Sequence, residues 1–354
     1  MSKISVAVLG ATGPIGQRFV QMLEGHPYFE VEGLYASERS DGKRFGDIVK
    51  IRDCEFSDET MGIRIKTMDI DRISKNAELV FSGIPSELAG PTESELAGKG
   101  MAVFTNAGSH RMDRHVPILI PEINPDHASS IEQQDTYGNG GYIVTNANCS
   151  STGIAMPLFA LDRKFGLDEV FVSTYQALSG AGYPGVPSLD AVGNVIPFID
   201  KEEEKMESEL TKILGGYSKD GFKPADFKVM ANCARVPVVD GHLESLVIKF
   251  ESSPSLEDIS CALSEFRGEA QTLKLPSAPD APIIVRTEKN RPQPIYDVLA
   301  GSPERAKGMA STVGRIRESN GFCKMFVLSH NTLRGGAGGS VLNAELFKAK
   351  GLLR

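Results

Sequence analysis

Cysteine is scarce in this chain: five residues (54, 149, 233, 261 and 323), an odd and widely scattered set. No Cys-x-x-Cys pair and no histidine at finger spacing accompanies them, so neither a disulfide framework nor a metal site is indicated. An excess of positive charge is also missing, since 38 basic residues face 46 acidic ones for a net charge of −8. Non-specific binding to nucleic acid or to anionic membrane is therefore not expected. No run approaches the roughly 18 apolar residues that span a bilayer. Met1-Ser2-Lys3, followed by the apolar stretch 4–9, carries no signal-peptide cleavage pattern, so the expected compartment is the cytoplasm. What remains is an ordinary folded protein, 354 residues long, 41% hydrophobic and 24% charged. That length predicts two domains, or three.

Apolar residues 4–9 run into Gly10-Ala11-Thr12-Gly13-Pro14-Ile15-Gly16, and Ile15, Phe19, Val20 and Leu23 then recur at helical spacing. The pattern reads as strand, glycine turn, helix. Further strands are expected at 31–36, 79–82, 101–104 and 142–145, alternating with helical stretches, which predicts a parallel sheet. After Cys149 the texture changes. A helix near 154–165, in which Pro157 should cause a bend, precedes expected strands at 170–175, 236–239, 246–250, 283–285, 313–316 and 325–328. These form an α+β second domain, and a glycine-rich segment, 335–339, leads into a final helix expected to return to the first.

The turn Gly10-x-x-Gly13-x-x-Gly16 has the context in which a backbone approaches a pyrophosphate and a helix start stabilises its charge. The same turn could simply join strand to helix. Where an acidic residue would hold the ribose of NAD, the chain has Ser37-Glu38-Arg39-Ser40-Asp41-Gly42-Lys43. Ser37, Arg39, Ser40 and Lys43 suit the 2′-phosphate of NADP, although a solvated polar loop would look alike. Cys149 begins a helix after Asn146-Ala147-Asn148, a position that favours the thiolate. Asn148 and the Cys149 N–H could donate to an oxyanion. A buried structural cysteine is the plain alternative. Among six histidines, His242 is best placed as its partner, after the turn Val239-Asp240-Gly241 with Arg235 upstream. Glu202 and Lys205 would share a helix face, and Arg111 lies beyond an expected strand end, where α/β folds place ligands. Solvated surface residues would account for each.

Together the motifs identify a resemblance covering nearly the whole chain, to the aspartate-β-semialdehyde dehydrogenase family in its archaeal and fungal form. It rests on Gly10–Gly16 with 17–20, Ala36–Ser40, Asn148-Cys149-Ser150, Gln176–Tyr183, Glu202–Lys205, Arg235–His242 and His330–Gly335. The resemblance implies a Rossmann-like NADP-binding domain, residues 1–147 with the tail 331–354, and a catalytic and dimerisation domain, 148–330. It implies Cys149 as nucleophile, His242 as acid/base and Gln176 orienting the acyl group. Arg235 would bind the substrate α-carboxylate, Glu202 its amino group, and Arg111 and Lys205 its phosphate, with Asn148 beside them. The NADP site would comprise Gly10, Thr12, Gly13, Pro14, Ile15, Gly16, Ser37, Arg39, Ser40, Lys43, Ser82, Gly83, Ser179, Gly180, Asn331 and Thr332.

The reaction implied is NADPH-dependent conversion of L-aspartyl-4-phosphate to the semialdehyde through a cysteinyl thioester, with release of phosphate. It would serve lysine, threonine, methionine and isoleucine synthesis, in a homodimer or homotetramer. Malonyl-CoA reductase of some archaea is similar, but a malonyl group has no amine, so Glu202 and Lys205 favour the amino-acid phosphate. A non-catalytic NADP sensor would have no use for Cys149, His242 and Arg235.

Overall fold

The computed structural model describes residues 3–353. Met1 and Ser2, on which the reading of the N-terminus partly rests, and Arg354 lie outside them, as do those outer ends of the expected domain boundaries. Six strands form the first sheet: β1 (Ile4–Leu9), β2 (Phe29–Ala36), β3 (Ile65–Thr67), β4 (Leu79–Ser82), β5 (Ala102–Thr105) and β6 (Tyr142–Thr145). All are parallel, in the order β3-β2-β1-β4-β5-β6. Such a sheet is covered on both faces, which is why β4, β5 and β6 read as unbroken apolar runs.

The first helix, Pro14–Leu23, lies on one face beside the last helix, Gly338–Ala349. Phe347 of the last helix packs edge-on against Phe104 of β5, with ring centroids 5.3 Å apart. Buried His26, in the turn after the first helix, pairs with Glu345 of the last helix at 2.8 Å. Strand order reverses between β2 and β4 around β1, and the glycine turn sits at that reversal, where open α/β sheets bind ligands.

The second sheet is mixed. Its strands are β7 (Leu167–Gln176), β10 (Lys228–Arg235), β11 (His242–Phe250), β12 (Ile283–Arg286), β13 (Ser311–Ser319) and β14 (Phe322–Ser329), ordered β10-β7-β11-β14-β13-β12; β8 (Gly216–Ser218) and β9 (Gly221–Lys223) form a separate hairpin. One face packs on the helices Cys149–Phe165, Glu202–Leu214 and Leu256–Glu265. The other leaves Phe171, Tyr175 and Met230 exposed. Among the described residues, no helix is long and apolar enough to cross a membrane.

One expectation is corrected. Residues 236–239 are not a strand: β10 ends at Arg235, Pro237 has no N–H for a ladder, and the carbonyls of Val238 and Val239 accept from Leu178 and Ser179 instead. Pro157 lies inside the helix Cys149–Phe165, which belongs to the second core.

Candidate active site

The parallel strand β6 ends at Thr145, and the chain enters the Cys149 helix through Asn148. Asn148 is that helix's N-cap: its Oδ1 accepts from the N–H groups of Ser150 and Ser151. Its Nδ2 donates to Glu202 Oε1 at 2.9 Å, and its own N–H donates to Glu209 Oε2 at 2.6 Å. The amide expected at an oxyanion thus holds the helix start and the acidic side chain opposite.

Cys149 Sγ lies 3.2 Å from Nε2 of His242 at the start of β11. Two residues 93 positions apart in sequence meet because β11 runs antiparallel to β7, beside the sheet's contact with the cysteine helix. His242 is fully buried, and its Nδ1 accepts from the N–H of Ala177 at 3.0 Å. The Ala177 carbonyl accepts from Nη1 of Arg235 at 2.8 Å. A Cβ at Gly180 would stand 2.8 Å from that same Nη1, so a larger residue there would push the guanidinium aside.

Electrostatics depart from the expectation of an acidic thiol. Burial and the neighbouring Glu202 carboxylate push Cys149 up to about 12, against the pull of Arg111 and Arg235. The helix start favours the thiolate, but Asn148 already accepts from two of its N–H groups and desolvation outweighs the rest.

Glu202, the first residue of its helix, is the organising anion. Its Oε1 accepts from both Asn148 Nδ2 and Gln176 Nε2 (3.1 Å), and Lys205 Nζ stands 3.7 Å from Oε2. Arg111 is nearly buried and directs three nitrogens at protein acceptors: the carbonyls of Asn146 and Asn106, and Glu209 at 2.9 Å. Glu209 was not singled out from the sequence, although its seven-residue spacing from Glu202 puts both on one face of the helix.

At the glycine turn, Gly13 caps the first helix without a side chain and Pro14 follows it. Gly10 has φ +74°, and a Cβ there would meet the Gly83 carbonyl oxygen at 2.6 Å. Such a cradle, with Thr12, Ile15 and Gly16 along it, leaves backbone and an uncapped helix start for a pyrophosphate. NADP therefore fits the residues present. Beyond β2, Ser37, Arg39 and Lys43 are exposed and Ser40 is half-buried. Ser82 is different: it is sealed, and its hydroxyl donates to Glu93 at 2.6 Å, so its side chain braces the sheet end rather than facing a cofactor.

A cleft of about 660 Å³ opens between the first helix, the segment 50–53 and the loop 178–186, with Ser179 and Thr332 on its wall. Asn331 ties this region together, donating to Ser179 Oγ and accepting from the Gly241 N–H. Thr332 Oγ1 accepts from Arg18, whose guanidinium also meets Asp53 at 2.6 Å and Asp240 at 3.6 Å, close to His330. Arg18, Asp240, His330 and Thr332 lie within three of the motifs, but nothing in the sequence joined them into one cluster, and Asp53 lies in none.

Known proteins match both halves. A family model described as "Semialdehyde dehydrogenase, NAD binding domain" matches residues 5–131, and "Semialdehyde dehydrogenase, dimerisation domain" matches 157–334. An aspartate-semialdehyde dehydrogenase of Archaeoglobus fulgidus is 46% identical, covering 98% of each chain. A malonyl CoA reductase (NADP) of Metallosphaera sedula is 38% identical over 99% of this chain and 98% of its own. A crystal structure of the Candida albicans aspartate-semialdehyde dehydrogenase with NADP superposes with a TM-score of 0.87 at 37% identity, covering 99% of both.

Proposed function

Because the chain belongs to the aspartate-semialdehyde dehydrogenase family, we propose that it carries out NADPH-dependent reductive dephosphorylation of L-aspartyl-4-phosphate to L-aspartate-4-semialdehyde through a thioester on Cys149. The observation that carries this reading is the 3.2 Å approach of Cys149 to His242, beside two cations and a buried carboxylate. Aspartyl phosphate has an anion at each end and an ammonium between. Arg235 suits its α-carboxylate, Glu202 its ammonium, and Arg111 with Lys205 its phosphate. Gln176, fixed by Glu202, orients the acyl group. The ammonium pocket at Glu202 favours this substrate over a malonyl thioester, which has no amine to place there.

The glycine turn, Ser37, Arg39, Ser40 and Lys43 would hold NADP, with Gly83, Ser179, Gly180, Asn331 and Thr332 lining the way to Cys149. The cofactor supplies a hydride to the acyl carbon. We assign residues up to 147 and from 331 onward to nucleotide binding and 148–330 to catalysis. The exposed apolar face at Phe171, Tyr175 and Met230 supports a homodimer, or a tetramer built from it. The reaction suits a place in lysine, threonine, methionine and isoleucine synthesis, and we assign it to the cytoplasm. The direct test is phosphate-dependent reduction of NADP by aspartate semialdehyde, run beside malonyl-CoA reduction; activity only on malonyl-CoA rejects the reading.

Two substitutions probe the ends of the site. Arg235→Leu removes a charge-assisted contact and should raise KM for aspartate semialdehyde about 10- to 100-fold. Steady-state kinetics with an unchanged KM would place the carboxylate elsewhere. Arg39→Leu should lower kcat/KM for NADPH by about 10-fold or more with little change for NADH, as measured in a two-cofactor competition.

A further inference from the structure

The helix Glu202–Leu214 carries Glu202, Lys205, Glu209 and Lys212 at three- and four-residue spacing, which aligns the four charges along one face. The first two belong to the site described above. The other two reach the loop beyond β5, where Arg111 lies. Glu209 is buried and accepts at both oxygens, Oε1 from Arg111 Nη1 at 2.9 Å and Oε2 from the main-chain N–H of Asn148 at 2.6 Å. Lys212, also buried, donates through Nζ to the carbonyls of Arg111 at 2.5 Å, Val116 at 2.9 Å and Asp113 at 3.2 Å. One helix thus grips Arg111 by its guanidinium and by its main chain.

A guanidinium has five N–H donors. In Arg111 one goes to Glu209 and two to the carbonyls of Asn106 and Asn146, just past the ends of β5 and β6. Among the described residues, that leaves one N–H on each terminal nitrogen for a ligand, and two such donors suit two oxygens of one phosphate. The same cation acts on the Cys149 sulfur, favouring its thiolate.

We infer that Glu209 is the positioning residue of the phosphate site, acting through Arg111 and tying that guanidinium, by the Asn148 N–H, to the residue before the nucleophile. The inference rests on the reaction proposed above and deepens it. Phosphate leaves or attacks the acyl carbon carried by Cys149, so its seat must keep register with that residue. Glu209 holds both walls of that seat. Its two partners are donors, and a carboxylate satisfies both. A carboxamide offers one acceptor oxygen and one donor nitrogen, so it would set an N–H against either Arg111 or Asn148. Lys212 holds the loop but leaves the guanidinium free to turn, which makes Glu209 the residue that aims it.

The test is steady-state kinetics of the full-length protein with aspartate semialdehyde, NADP and inorganic phosphate, each varied in turn. Glu209→Gln should raise KM for phosphate about 10-fold or more, while KM for aspartate semialdehyde and for NADP change by less than about 3-fold. Glu209→Asp keeps the charge balance around Arg111, and so the fold, but withdraws both oxygens by one C–C bond; it should show the same selective rise. A rise shared by all three KM values, or a phosphate KM within about 3-fold of the parent's in both variants, overturns the inference. A second readout needs no turnover. Inorganic phosphate should protect Cys149 from iodoacetamide, followed by peptide mass spectrometry, with a half-protecting concentration about 10-fold or more higher in Glu209→Gln. Arg111→Met should weaken the protection, and Glu209→Gln added to it should change it no further. A further change, or no protection in the parent, overturns the inference. Protection without turnover in the parent removes the functional reading alone, and turnover with an unmoved phosphate KM removes this inference alone.

Discussion

Cys149→Ser is expected to lower turnover by at least about 10³-fold while NADP affinity and the thermal transition stay near those of the parent protein. A serine hydroxyl is a far weaker nucleophile than sulfur and would not form the acyl intermediate at a useful rate. The substitution is nearly isosteric, and Asn148, which holds the helix start, is untouched. Single-turnover kinetics and cofactor titration check both halves. Turnover near the parent rate would remove Cys149 from the chemistry.

Arg334→Met is expected to cost stability more than activity per folded molecule, by about 3–5 kcal/mol. Arg334 and Glu122 are both buried, and the guanidinium meets the two carboxylate oxygens at 2.9 and 2.8 Å. Removing the cation leaves a carboxylate in a dry interior, whereas Arg334→Met with Glu122→Leu removes both charges and should recover much of the loss. Urea unfolding of the single and double variants measures the difference. Equal midpoints for Arg334→Met and the parent would show the pair to be energetically idle.

The elements legible in the sequence are those sealed on both faces or marked by special residues. Strands β1, β4, β5 and β6 announce themselves as apolar runs, and Gly10 to Gly16 marks the turn. β10 was missed because its first five positions, Asn232 among them, alternate exposed and half-buried along a sheet edge. The pairing of Cys149 with His242 was foreseen, but the balance of charge around the sulfur was not, because burial is a property of the assembled site. Ala177 lies in the Gln176–Tyr183 motif, but its main-chain role was not legible there, since nearly every residue type offers the same N–H. The joining of Arg18, Asp53 and Asp240 was equally hidden, since a helix and two loops far apart in sequence bring them together.

The peptide flanks of Ala177 also connect two duties. Its nitrogen steadies the imidazole and its oxygen anchors the guanidinium of Arg235, so a ligand that pulls on the cation tugs the ring through one small residue. Recognition and chemistry share a mechanical linkage here. Changes made at both side chains should therefore combine non-additively.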